Sequence, residues 1–266
     1  YIRNRNGIRA KERLVCNIIN YMEECDKAFD TSAFWHKCNT MLLMSYEHIT
    51  GRPKGDLHID AAILFRFPEE DLIIIEHDWE TIINKVRAGK AHEISEGDTL
   101  YLAACTKGAN ASSVRPQPFS NIPAKQRAYS LKASYMTQIL NKYIFGDVEE
   151  PRIIRHWRSL QHCTFEDHIM QKVSPFYRKT QQELKDLFAV DSNAKSLNEI
   201  LLARMLGVPG RIGHTDEFRK AGIIPKTIRV RRDGFIKESM SFPAFDFIEL
   251  ANETEWEEST LYNYLA

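Results

Sequence analysis

The longest apolar runs in this 266-residue chain, such as Leu72 to Ile75 and Thr40 to Met44, cover only a few residues. A bilayer-spanning helix needs roughly 20, so no membrane span is expected. A core assembled from such short runs must come from many short elements that switch between helical and strand periodicity. That points to a mixed α/β (α+β) architecture. With 43% hydrophobic and 27% charged residues, the chain can fill one large domain or two small ones, and collagen-like, disordered and coiled-coil folds are excluded.

Local patterns predict the elements. Leu14, Cys16, Ile18, Ile19 and Met22 recur at near-helical spacing, which predicts a helix from Lys11 to Cys25. Met41 to Tyr46 and Ala61 to Phe67 read as strands around a Gly51-Arg52-Pro53-Lys54-Gly55 turn. Asp78 and Glu80 open a helical pattern (Trp79, Ile82, Ile83, Val86) that stops at Gly89. Thr99 to Ala104 reads as a strand, and Cys105 to Pro123 as a long structured loop of the kind that carries function. Ser130 to Phe145 returns to helix and ends at Gly146. Residues 147–163 read as a linker between two units. Beyond it lie helices at Phe165 to Val173, Gln181 to Phe188 and Leu197 to Leu206, then a strand from Ile223 to Val230. An Asp233-Gly234 turn leads into Phe235 to Met240, followed by a strand-like run from Phe242 to Leu250.

Five cysteines (Cys16, Cys25, Cys38, Cys105, Cys163) are odd in number and widely spaced. They form no disulfide framework or zinc ribbon and indicate a reducing, cytoplasmic compartment. The chain opens at Tyr1 with a basic stretch lacking the apolar core of a secretory signal, and reads as a fragment entered mid-chain. His156, His162, Cys163 and His168 lack a standard zinc-finger spacing. No phosphate-loop, dinucleotide or serine-hydrolase motif occurs.

Charge is informative only in its distribution, because 36 basic residues balance 36 acidic ones. From Thr99 to Gly146 there is no Asp or Glu, while Lys107, Arg115, Lys125, Arg127, Lys132 and Lys142 give a local charge of +6. Such a stretch is either a phosphate-neutralising face, with Lys107, Asn110 and Arg115 able to reach base edges, or a solvated basic face paired with acids elsewhere. The interleaved Gly108, Ala109, Ala111, Ser112 and Ser113 let a backbone approach a ligand closely, which favours function. Lys37, just before the Met41 to Met44 strand, has the usual profile of a solvent-exposed lysine.

Four runs now become recognisable: Leu14-Val15-Cys16-Asn17-Ile18-Ile19-Asn20-Tyr21, Gly89 to Gly97 (GKAHEISEG), Cys105 to Ser113 (CTKGANASS) and Ala124 to Lys132 (AKQRAYSLK). In order and spacing they resemble the Sau-type restriction endonucleases that cut at GATC, relatives of the mismatch-repair nickase MutH. Lys226-Thr227-Ile228-Arg229 and Lys237 to Phe242 are similar to the family's second domain, so the resemblance covers most of the chain.

The resemblance implies two restriction-endonuclease-like (MutH-like) domains, both incomplete. Residues 1–148 would be the C-terminal part of a catalytic domain, 149–163 a linker, and 164–266 the start of a catalytically degenerate effector domain. It also implies Mg²⁺-dependent hydrolysis of double-stranded DNA in the intact enzyme. The family's Asp and Glu-x-Lys would lie upstream of Tyr1, leaving this chain inactive alone, with Lys37 as a further active-site lysine. Lys107, Gly108 and Asn110 would read the site, Tyr129 and Ser130 would make a second DNA contact, and Arg115, Lys125, Arg127 and Lys132 would support them. In the second domain Asp216 and Lys226 would be remnants of a metal site, with Ile224 and Ala203 where acids belong; neither residue can ligate Mg²⁺. Self-association on DNA is a further implication. The competing class is a non-catalytic sequence-specific DNA-binding module, and a metabolic enzyme with an anion pocket is a distant third.

Overall fold

The computed structural model describes every residue except 5–6, 109–111, 147–149, 229, 232, 237–238, 241–243, 245–246, 252–260 and 262–266. It is a mixed α/β structure. In chain order, β1 (Ile2–Asn4) and β2 (Gly7–Arg9) form a hairpin, followed by β3 (Leu14–Ile18), α1 (Tyr21–Glu24) and α2 (Ala33–Cys38). A second hairpin, β4 (Met41–Tyr46) and β5 (Ile59–Phe65), precedes the long helix α3 (Glu69–Arg87). Then come β6 (Leu102–Thr106), the hairpin β7 (Val114–Gln117) and β8 (Ser120–Lys125), β9 (Arg127–Leu131), and α4 (Ala133–Ile139) with a π-helical turn over Leu140–Ile144. Four helices follow: α5 (Phe165–Val173), α6 (Gln181–Phe188), α7 (Leu197–Met205) and α8 (Asp216–Ala221). The contacts group Tyr1–Ile223 into one unit and Ile224–Ala266 into another. In the second, a Val230–Ile236 bridge closes over the expected Asp233-Gly234 turn, and a short helix α9 spans Phe247–Ala251.

Several expectations are corrected. The helix over 11–25 is instead β3 plus one turn of α1, because Leu14 to Ile18 pairs with β9 and partner-strand bonding outweighs an ambiguous apolar spacing. The helix at Asp78 begins nine residues earlier, just after Pro68, with Glu69, Glu70 and Asp71 at its positive end. The loop over 105–123 contains the β7–β8 ribbon, where Pro116 and Pro123 are tolerated because a two-stranded sheet is all edge. Ser130 and Leu131 belong to β9, so α4 starts at Ala133. Residues 223–228 form no regular strand. Phe235 to Met240 contributes only the bridge at Ile236 among its described residues, and the described part of Phe242 to Leu250 is helical from Phe247.

The core is a three-stranded antiparallel sheet in the order β3-β9-β6, with Ala104 opposite Tyr129 and Leu102 opposite Leu131. As the middle strand, β9 is buried along its whole length. Helix α3 buries Asp71, Ile74, Ile75, Asp78, Trp79, Ile82, Ile83 and Val86, the i, i+3, i+4, i+7 stripe of a helix packed on a core. Two of these eight are carboxylates. Asp78 accepts backbone hydrogen bonds from Leu100 (2.8 Å), Tyr101 (2.6 Å) and Leu102 (2.8 Å), clamping the helix to the start of β6. Burial pushes its pKa up to about 6 against the opposing pull of those amides.

Asp71 is satisfied differently. The buried Lys220 ammonium lies 2.7 and 2.8 Å from its two oxygens and 2.8 Å from Asp216. Arg152 bonds Glu70 and approaches Asp216 at 3.1 Å and Asp71 at 3.4 Å, while Tyr135 donates to Asp71 at 3.1 Å. Glu217 accepts the amides of Ile153 (3.0 Å) and Ile154 (2.9 Å). This network binds α3, α4, α8 and residues 151–154 together. Ile153, Ile154 and Leu160 are buried within the expected 149–163 linker, whereas Arg155, His156, Arg158, Ser159, Gln161 and His162 are exposed. As a division of function it is taken up again below.

Lys220→Met should lower unfolding free energy by about 3–5 kcal/mol, because it leaves Asp71 and Asp216 buried without their shared cation. Urea denaturation measures this, and a loss under about 1 kcal/mol would mean the carboxylates do not need it. For Asp78 the folded pKa lies above the ordinary 3.8, so its contribution is fully present below about pH 4 and is lost as pH rises through about 6. The stability of wild type minus Asp78→Asn should therefore fall between pH 4 and 6. A rise over that window would show that the three amides dominate and hold the carboxylate ionised.

Candidate nucleic-acid interface

The acid-free window does not fold into one surface. Strand β6 ends at Thr106, opposite Arg127, and the Lys107 amide continues the pairing to the Gln126 carbonyl at 2.8 Å. The Gln126 side chain closes the mouth of the segment between β6 and β7: its Nε2 donates to the Lys107 carbonyl (2.6 Å) and its Oε1 accepts from Arg115 Nε (3.0 Å). Its amide bonds the Ser113 carbonyl at 2.9 Å. One glutamine thus sets both stems of the loop and aims Arg115. Lys107 and Gly108 are exposed at this mouth, Arg115 and Lys125 are half-buried beside it, and Asn110 lies outside the described residues. The Lys125 carbonyl accepts from Tyr21 OH at 2.6 Å. Burial pushes the Tyr21 phenol up to about 12, opposed by the positive charges of Arg127 and Arg115.

The rest of the basic window turns inward. Arg127 is buried and donates to the Ala104 carbonyl at 2.7 Å. Tyr129 and Ser130, expected to contact DNA, are wholly buried and have no surface to offer a duplex. Tyr129 OH reaches Glu24 at 3.5 Å, and Ser130 Oγ reaches the Ala103 carbonyl at 3.5 Å. The cause is their place on the middle strand, covered on both faces. Lys132 donates to the Thr99 carbonyl at 2.6 Å, and burial pushes its pKa down against the pull of Asp78, Glu96 and Asp98. It is an internal cation answering acids just outside the window.

Lys37 projects from α2, a short helix capped by Ser32, whose Oγ accepts the Trp35 amide at 3.1 Å. Its ammonium donates to the Cys16 carbonyl, so it sits against β3, the strand hydrogen-bonded to β9. The Cys16 thiol donates to the Leu14 carbonyl at 3.7 Å, and its neighbour Cys38, together with burial, raises its pKa. Lys37 therefore lies at the edge strand of the sheet, while Lys107 extends from β6 on its opposite side.

Asp216 belongs to the buried ion network, and Ala203 is fully buried in α7. Lys226 and Ile224 are exposed in the second unit. Among the described residues, no group of three metal-type side chains converges. The carboxylates that do meet, Asp71 and Asp216, are already neutralised by Lys220 and Arg152. The described residues therefore do not by themselves make a Mg²⁺ site. Sequence reasoning overlooked Gln126 and the buried Glu24. Gln126 stands inside a recognised run, but only its register opposite Ser113 and Lys107 reveals what it does.

Comparison with known proteins gives a consistent assignment. Residues 1–78 match the family model described as MutH, DNA mismatch repair enzyme MutH. The chain is 43% identical to the type II restriction enzyme Sau3AI of Staphylococcus aureus over 97% of its own length and 54% of that protein's. It is 27% identical to the DNA mismatch repair protein MutH of Shewanella woodyi over 43% of this chain and 51% of that one. A Shewanella baltica MutH is 26% identical over 44% and 54%, respectively. The chain thus spans about half the length of these relatives. Along nearly all of its own length it is similar to a type II restriction enzyme, and its first 78 residues match the MutH model.

Proposed function

We propose that this chain reads double-stranded DNA at GATC as part of a type II restriction endonuclease. The observation that carries the reading is the Gln126-closed loop, which presents Lys107 beside Arg115 in a stretch free of acids. In this arrangement Lys107 donates to guanine O6 and N7 in the major groove, while Arg115 and Lys125 neutralise adjacent phosphates. Gly108 lets the backbone approach the base edges, and Asn110 completes the reading set. Arg127, Tyr129, Ser130 and Lys132 act indirectly, by fixing the strand from which the loop springs.

Cleavage in this reading is hydrolysis of a phosphodiester by water. Lys37 stabilises negative charge on the phosphate as the transition state forms. Mg²⁺ belongs to the same reading, with ligands other than the described residues. Residues 164–266 serve as a degenerate effector part that binds a second DNA copy and favours self-association on DNA, with Asp216 structural and Lys226 a remnant of the metal-site pattern. The setting is the cytoplasm, in keeping with five free cysteines. Among the described residues, no helix is long and apolar enough to cross a membrane. A DNA-binding module without catalysis is the second reading, favoured by the absence of a converging carboxylate set among the described residues.

A gel-shift titration against GATC and scrambled duplexes at two salt concentrations, followed by Mg²⁺ and a search for nicks, separates the readings. Cutting removes the non-catalytic module, GATC-selective binding without cutting is what a recognition-competent part of the endonuclease gives when its acids lie elsewhere, and no preference for GATC removes both. Lys107→Ala should cost about 1–3 kcal/mol of binding to GATC and little on scrambled DNA. An equal loss on both would reduce Lys107 to a phosphate contact. In a cleaving preparation, Lys37→Ala should slow turnover by about 100-fold with affinity nearly unchanged. Unchanged turnover would take Lys37 out of the reaction.

A further inference from the structure

The tip of the β7–β8 hairpin carries an aromatic residue in a backbone conformation that disfavours it. Gln117 pairs with Ser120, so Pro118 and Phe119 form a two-residue turn, and Phe119 has φ +61°. Proline followed by a positive φ is the pattern of a type II turn, whose second central position normally takes Gly or Asn. Here it holds Phe, with 77% of the residue exposed. A strained residue that buries almost nothing does not serve the fold, and such strain persists where function requires it.

The turn is also held rigidly. Gln117 is buried; its Oε1 accepts the Ala91 amide at 2.7 Å, and its Nε2 donates to the Ile122 carbonyl and lies 3.0 Å from His92 Nδ1. The Phe119 carbonyl presses so closely on Gly89 that a β-carbon there would lie 2.7 Å away. The ring is thus presented to solvent from a braced ribbon whose arms carry Arg115 and Lys125, within a window free of Asp and Glu. The register places Arg115 and Lys125 at the base of the ribbon and the apolar tip beyond them, so a polyanion whose phosphates meet the base can offer a base pair to the tip.

Resting on the DNA-reading function proposed above, we infer that Phe119 is a wedge that inserts against a base-pair step flanking the tetranucleotide, adding a preference for deformable flanks. From Val114 to the turn the ribbon reaches roughly 13 Å at about 3.3 Å per residue, or about four base pairs at about 3.4 Å each. Aromatic wedges act by partly unstacking a step, and pyrimidine–purine steps open most easily. GATC itself contains no such step, so the wedge selects its partner in the flank.

The test uses the full chain and duplexes with GATC at the centre, 2-aminopurine scanned over the four flanking pairs on each side, and either a TA step or an A-tract there. Wild type should brighten the probe at one flanking position and favour the TA flank. Phe119→Ala should abolish both and bind about tenfold more weakly. Phe119→Gly, which suits a positive φ, should melt no lower than wild type yet bind as weakly as the alanine variant. If both variants bind and brighten like wild type while Lys107→Ala still loses GATC preference, the wedge is wrong and the DNA-reading function stands. If both variants melt lower and bind weakly, Phe119 belongs to the fold and the inference is overturned. Should wild type bind no duplex at all, the proposed function falls and takes the wedge with it.

Discussion

Helix α3 buries two carboxylates two turns apart on its core-facing stripe, and much of the structure is arranged around satisfying them. An unpaired buried charge is among the costliest features a fold can carry. Asp71 is answered by full charges, Lys220 and Arg152, delivered from elements some 80 to 150 residues later in the chain. Asp78 is answered by three backbone amides at the entry to β6. The first solution fastens residues 151–154 and α8 onto α3; the second fixes where β6 begins.

The candidate interface follows from that second anchor. With β6 set at Leu100 to Leu102, its far end delivers Lys107 opposite Gln126, and Gln126 determines how the loop and the β7–β8 ribbon leave the sheet. The same pairing turns Arg127, Tyr129 and Ser130 into the interior. Positive charge is thereby sorted: some of it faces outward at the loop mouth, and some, as at Lys132, is consumed inside against Asp78, Glu96 and Asp98.

What was legible in the sequence was mostly local. Helices α5 and α6 appear where expected because each opens with a Thr whose hydroxyl caps the third amide and whose own amide is capped in return by Asp167 or Glu183. The β4–β5 strands were marked by apolar runs around a glycine- and proline-rich turn. Strand β3 was not recognised, because its partner lies more than a hundred positions away and a five-residue apolar run fits either period, and β9 was not, because RAYSL carries no clear apolar period. Of the candidate site, Lys107, Arg115 and Lys125 were found by charge alone. That Tyr129 and Ser130 are buried is not written in a short motif, and Gln126 was passed over because a neutral side chain leaves no trace in a charge pattern.

By itself the sequence determined the mixed α/β class, the capped helices of the later half, the cation-rich stretch with no acids, and the likeness to type II restriction enzymes, all of which depend on residue type and near-neighbour spacing. Only the tertiary structure decided which cations reach solvent, that Asp216 sits in an ion network with Asp71 and Lys220, that Ile153 and Ile154 are buried, and that Phe119 stands exposed on a braced turn. These outcomes depend on long-range pairing and on the cost of burying charge, and neither is set until distant parts of the chain have met.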